Sequence, residues 1–183
     1  MRRLLGTAVL ALFTIFAMTE PSSAADPENT LYLELKTGHV VIEMRPDIAP
    51  RHVARIKELV RDEFYDGLTW HRVLDGFMAQ TGDPRGDGTG GSGENIPAEF
   101  SDFERFYRGT VGMARSQNPN SADSQFFIMY APSEWLDGKY TIWGEVIDGM
   151  EHVDAIKKGD DSRNGIVDDP DKIVKMRVAA DVQ

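Results

Sequence analysis

Apolar and polar residues alternate along the first clearly periodic stretch of the chain: Leu31, Leu33 and Leu35, then Val40, Ile42 and Met44, with Thr37-Gly38 between the runs. A period of two puts one face of an extended chain in a core and the other in water, so residues 31–44 are predicted to form a β-hairpin. After Pro46 the period lengthens. Val53, Ile56, Leu59 and Val60 share one helical face while Arg51, Arg55, Lys57, Glu58 and Arg61 lie elsewhere. Pro50 suits a first helical turn, where its missing N–H costs nothing, and a helix is predicted over 50–62. Short strand candidates recur at 69–74, 77–81, 110–114, 125–130, 140–147 and 172–179, with a second helix near 149–157. Many short strands and few helices imply an all-β sandwich or barrel with helices plugging its ends; periodicity does not choose between the two.

The N-terminus changes the picture of where the chain works. Arg2-Arg3 precede an uncharged apolar run from Leu4 to Met18, followed by Thr19-Glu20-Pro21-Ser22-Ser23-Ala24. This is the order of an export signal, and the apolar run falls short of the about 20 residues that span a bilayer core. Residues 1–24 are therefore expected to be a cleavable signal peptide, cut after Ala24 with Ala25 as the neighbouring choice. Of 183 residues, 159 then remain, enough for one domain over 25–183 with a real core. The chain has no cysteine, so it offers neither an acylatable thiol nor a disulfide, and stability must come from core burial. Losing Arg2, Arg3 and Glu20 removes two cations and one anion, moving the formal charge from −10 to −11. That charge repels phosphate backbones and anionic lipid heads, which argues against nucleic acid and against stable membrane association after cleavage.

Arg72 is the candidate for chemistry. It sits in Trp70-His71-Arg72-Val73-Leu74-Asp75-Gly76-Phe77-Met78-Ala79-Gln80-Thr81-Gly82-Asp83, a permanent cation among apolar strand formers. Burying an unpaired guanidinium costs several kcal/mol, so it needs either a carboxylate partner or a ligand. Two further aromatic-rich runs are bounded by turn residues: Ser124-Gln125-Phe126-Phe127-Ile128-Met129-Tyr130 and Glu134-Trp135-Leu136-Asp137-Gly138-Lys139-Tyr140.

Together the three blocks, in this order and at this spacing over about 70 residues, resemble a cyclophilin, a peptidyl-prolyl cis-trans isomerase, with family-like sequence from about Leu31 to Val178. The resemblance implies a closed eight-stranded antiparallel β-barrel capped by two α-helices. It also implies a cofactor-free enzyme acting on proline-containing polypeptides. A peptide bond resists rotation with a barrier of about 18–20 kcal/mol, and before proline the cis and trans forms lie close in energy, so a catalyst need only stabilise the twisted state. In that state the prolyl nitrogen regains its lone pair and becomes a hydrogen-bond acceptor. The resemblance assigns the donor to Arg72, and the orienting of Arg72 and holding of the substrate carbonyl to Gln80. The proline-ring pocket falls to Phe77, Met78, Phe127 and Leu136, and the backbone at Ala114 and Arg115 grips the residue before proline. Trp135 borders the pocket, as in members that bind cyclosporin. Tyr140 stands where many members carry His, which leaves cyclosporin an open partner; Trp70 replaces the usual Phe, and 115–124 is about one residue longer than in eukaryotic relatives.

The remaining motifs point elsewhere or nowhere. Gly88-Thr89-Gly90-Gly91-Ser92-Gly93 spells G-x-G-x-x-G, but Glu94 and Pro97 follow instead of an apolar helix; a mobile loop rimming the substrate groove is expected rather than a nucleotide site. Arg85-Gly86-Asp87 is a common triplet. His39, His52, His71 and His152 lack ligand spacing, so no metal is expected; His71 is read as a hydrogen-bonded structural residue behind the barrel wall. Asp160-Asp161 to Asp168-Asp169-Pro170-Asp171 lacks the pattern of a calcium loop and is read as solvated surface. The expectation is a monomeric periplasmic prolyl isomerase serving exported proteins; the rival is a barrel that holds proline-containing segments without turnover.

Overall fold

The computed structural model describes residues 26–182; the expected signal peptide lies outside them. The predicted hairpin is β1 (Thr30–Leu35) and β2 (Gly38–Met44), paired antiparallel with Leu33 opposite Val40. Helix α1 covers Pro50–Arg61 and buries Val53, Ile56, Leu59 and Val60, the face its period announces, together with His52. The strands that follow are β3 (Arg72–Leu74), β4 (Met78–Thr81), β5 (Thr110–Met113), β6 (Phe126–Met129), β7 (Ile142–Asp148) and β8 (Ile173–Val178), with the short helix α2 (Met150–Asp154) after β7.

All eight strands form one antiparallel sheet in the order β3-β4-β6-β5-β7-β2-β1-β8. The sheet curls around a main core to which α1 and Val153 of α2 contribute. Here the expectation of a closed barrel meets a difference. Among the described residues β3 and β8 share no ladder; an isolated bridge, Thr69 with Lys172, joins the two edges. The cause is on the free edge of β3, where Val73 donates its N–H to Gly165 O and accepts from Gly159 N–H, so a loop and not β8 satisfies that backbone. The architecture is a curled half-barrel of eight antiparallel strands with two helices.

Strand alternation sorts the residues into two cores. Val73, Ala79, Ile128 and Val111 lie opposite one another across β3, β4, β6 and β5 and face inward. Their neighbours along each strand point outward, where Met78, Phe127 and Met129 join Phe106, Leu136 and Ile142 in a second, smaller apolar cluster. The candidate site is built on this outer cluster.

Candidate active site

One row across the sheet fixes the site. Arg72 on β3 lies opposite Gln80 on β4, Gln80 opposite Phe127 on β6, and Phe127 opposite Gly112 on β5. Directly opposed residues share a face, so the guanidinium, the amide and the aromatic ring stand side by side on the outer surface. Gly112 ends the row for a steric reason: a Cβ there would lie 2.5 Å from Phe127 Cζ and 2.6 Å from Phe106 Cε1. The bare backbone lets Phe127 and Phe106 lie over it, stacked at 5.8 Å between centroids. The turn Glu134–Leu136 brings in Leu136, which is buried, and Trp135, 58 % exposed. Trp135 packs on Phe77 at 5.3 Å, and Tyr140 meets Phe127 edge-on at 6.0 Å.

The ten site residues expected from the sequence, from Arg72 to Tyr140, line one open cavity of about 160 Å3. Gln80, Ala114 and Arg115 also line an adjoining, more polar hollow of about 310 Å3, whose far wall includes Gly88 to Gly91. The glycine-rich segment thus rims the groove. It is tied down by two carboxylates: Asp83 accepts from the N–H of Arg85 and Asp87, and Asp123 from the N–H of Ser92 and Gly93.

Arg72 is half-buried and, among the described residues, forms no ion pair. Its Nη1 donates to Gln80 Oε1 at 3.0 Å, its Nε to the Asn164 carbonyl at 3.0 Å, and its Nη2 to Asn164 Oδ1 at 2.9 Å. Every one of these acceptors is neutral. Burial pushes the guanidinium pKa down while Tyr140 opposes the shift, the pattern of a cation held without a counter-charge. A guanidinium has five N–H donors and three are used here, which leaves one on each terminal nitrogen. Gln80 is itself steadied: its Nε2 donates to Gln125 Oε1 at 2.9 Å, and Gln125 Nε2 donates to the carbonyls of Gly88 and Gly90.

Three findings depart from the sequence reading. His71 is buried, but among the described residues neither ring nitrogen has a hydrogen-bond partner, and burial lowers its pKa. Arg115 does more than offer backbone: its guanidinium lies 4.3 Å over the Tyr140 ring and donates to the carbonyls of Lys139 and Ser116. Asn164 and Gln125 touch the machinery although sequence reasoning gave neither a role. The available signal for Asn164 was its place before Gly165, a pair favoured in left-handed turns.

The model of the family described as "Cyclophilin type peptidyl-prolyl cis-trans isomerase/CLD" matches residues 30–178. The chain belongs to this family. It is 53 % identical over 194 residues to a probable peptidyl-prolyl cis-trans isomerase of Brucella suis, covering all of this chain and 98 % of that one. A peptidyl-prolyl cis-trans isomerase of Synechococcus elongatus is 39 % identical over 149 residues, 81 % of this chain and 95 % of its own. Among solved structures, a cyclophilin from Hirschia baltica superposes with a TM-score of 0.76 at 28 % identity, covering 87 % of this chain and 77 % of its own. A cyclophilin-type isomerase of Cryptosporidium parvum, solved in the presence of the dipeptide Ala-Pro, gives 0.74 at 27 % identity over 81 % of this chain and 98 % of that one. This cyclophilin therefore carries its apolar pocket on the outer face of the sheet, with Arg72 at the pocket's edge.

Proposed function

We propose that this cyclophilin accelerates X-Pro isomerisation in exported polypeptides through a hydrogen bond from Arg72 to the prolyl nitrogen of the twisted bond. The observation that carries the reading is a guanidinium with neutral partners and two unspent N–H groups at the edge of an apolar cavity. Cis and trans differ little in energy, so binding both equally gains nothing; the useful contact must form only as the nitrogen pyramidalises and exposes its lone pair. Met78, Phe127 and Leu136 seat the pyrrolidine ring, and Phe77 and Trp135 close one side. The main chain at Ala114 and Arg115 holds the preceding residue, a grip indifferent to that residue's side chain. A hydrogen bond to a charged donor contributes about 1.5–3 kcal/mol, and each 1.4 kcal/mol is tenfold in rate. That the Cryptosporidium parvum relative was solved in the presence of the dipeptide Ala-Pro is in keeping with a proline-containing ligand.

The rival reading, a module that holds proline segments without turnover, drew on Trp70 and Tyr140. Trp70 is wholly buried in the inner core, edge-on to Phe126 at 6.2 Å, away from the pocket wall. Tyr140 supplies an aromatic wall and removes no donor. The exposed ring of Trp135 at the rim makes cyclosporin a candidate ligand. The pattern of residues 1–24 supports export to a periplasm, where a monomer would act on newly delivered chains whose X-Pro bonds are slow to equilibrate. Among the described residues no helix is long and apolar enough to cross a membrane.

A protease-free assay of an X-Pro tetrapeptide tests the proposal. Isomerisation well above the buffer rate is expected; a rate equal to buffer from folded protein removes it.

A further inference from the structure

Arg72 stands on the outermost strand of the sheet, where one would expect its long side chain to be loose. β3 has three residues and, among the described residues, no strand beyond it. Segment 159–167 lies along its free edge instead, through Val73 N–H to Gly165 O at 2.8 Å, Gly159 N–H to Val73 O at 2.9 Å and Val167 N–H to His71 O at 3.1 Å.

That segment is stiff for local reasons. Asp160 donates its N–H to Ile166 O and accepts Gly165 N–H on its own carbonyl. Its carboxylate accepts from Ser162 N–H at 2.9 Å and Arg163 Nε at 3.0 Å. Gly165 has φ +79° and presses directly on β3: a Cβ there would lie 2.7 Å from Leu74 Cγ and 3.1 Å from Val73 O. Asn164 comes just before it with φ 57° and ψ 37°, the left-handed conformation that Asn tolerates better than most residues. The consequence is unusual for a surface turn. Both the main-chain carbonyl and the amide oxygen of Asn164 turn toward one guanidinium and take up its Nε–Nη2 side, while Gln80 holds Nη1.

We propose that Asn164 is a positioning residue for the isomerisation: it clamps the plane of the Arg72 guanidinium so that its two free N–H groups are held for the twisted substrate. The proposal rests on the catalytic reading of Arg72. Two features of the clamp suit that task. Its oxygens are uncharged, so they orient the cation without cancelling it, as a carboxylate would. It also holds a side chain of high rotamer entropy before substrate arrives, so the transition state need not order it. The chain thus recruits an exposed residue 92 positions away from Arg72.

The test compares wild type, Asn164→Gly and Asn164→Asp, each alone and combined with Arg72→Ala, by uncoupled isomerisation of an X-Pro tetrapeptide. Glycine accepts the left-handed backbone and keeps the carbonyl contact, so it removes the amide oxygen alone; Asn164 is exposed, and the thermal midpoint of the variant checks the fold. The expected result is a loss of about tenfold in kcat with KM within about twofold, the size of one charge-assisted hydrogen bond. Asn164→Asp, which retains an acceptor in place of Oδ1, is expected to recover part of that loss. In the Arg72→Ala background Asn164→Gly is expected to change nothing further. A wild-type kcat for Asn164→Gly overturns the clamp, and so does an equal loss in both backgrounds. If Arg72→Ala alone keeps the wild-type rate, it is the catalytic reading of Arg72 that fails, a result distinct from either.

Discussion

At Arg72 a permanent cation is half-buried against neutral acceptors, and the cost of that burial is tolerated because the guanidinium forms three hydrogen bonds and keeps two donors open. Its neighbours are fixed by sterics as much as by polarity. Gly112 is the clearest case, since any Cβ there collides with the rings of Phe127 and Phe106. Gly112→Ala should displace Phe127 from the pocket floor, lower stability by about 1–3 kcal/mol and raise KM more than it lowers kcat, as read from urea unfolding and steady-state kinetics. A variant with wild-type KM and stability would contradict that role. Arg72 was legible as a permanent cation among apolar strand formers, whereas Gln80, Phe127 and Leu136 drew their expected roles only from the resemblance of the three blocks taken together. Asn164 and Gln125 were not legible, because nothing in an acidic surface loop or beside a Phe-Phe pair announces a contact made through the tertiary fold.

At the scale of elements, the period of two announced the hairpin over 31–44, and short apolar runs announced the later strands. Every predicted strand is present, and the same period of two explains why one residue faces the inner core and the next the pocket. The closed barrel inferred from family resemblance was not recovered as a continuous ladder, because the edge of β3 is taken by segment 159–167, a pairing that no hydrophobic pattern encodes. Helix α1 shows a second long-range device. Its capping position is Ala49, which offers no side-chain oxygen, and Glu99 substitutes from a distant loop by accepting the N–H groups of Arg51 and His52 and the ring Nδ1 of His52 at 2.7 Å. Burial lowers the His52 pKa, with Glu99 opposing; burial alone would raise Glu99, but these hydrogen bonds outweigh it and hold the carboxyl below its usual range. Both shifts act in the same direction. The unfolded chain takes up the His52 proton first as pH falls through about 6.5, and the Glu99 contribution is lost below about pH 4.3 as the pH approaches its depressed folded value. The thermal midpoint should therefore decline between pH 8 and 4. Glu99→Gln should lower it at pH 8 by about 3–10 °C, corresponding to about 1–3 kcal/mol. A Glu99→Gln midpoint equal to wild type at pH 8 would contradict the clamp.

For the whole molecule, an acidic chain without cysteine carries an apolar pocket on its outer face, open to a passing polypeptide. The proposed export of that pocket is tested by the mass of the protein recovered from the periplasm of a bacterial host: a form beginning at Ala25 is expected, and an intact residue 1 in a cytoplasmic fraction contradicts it. The central claim concerns the hydrogen bond from Arg72 to the turning nitrogen. Exchange spectroscopy by NMR through a titration of an X-Pro peptide up to saturation reads peptide affinity and cis–trans interconversion on the protein, for wild type and Arg72→Ala side by side. The expected result is an on-enzyme rate about 100-fold lower in the variant, with affinity within about threefold, the signature of a contact made only in the transition state. Equal rates in the two proteins, or a rate loss no larger than the loss of affinity, would contradict it.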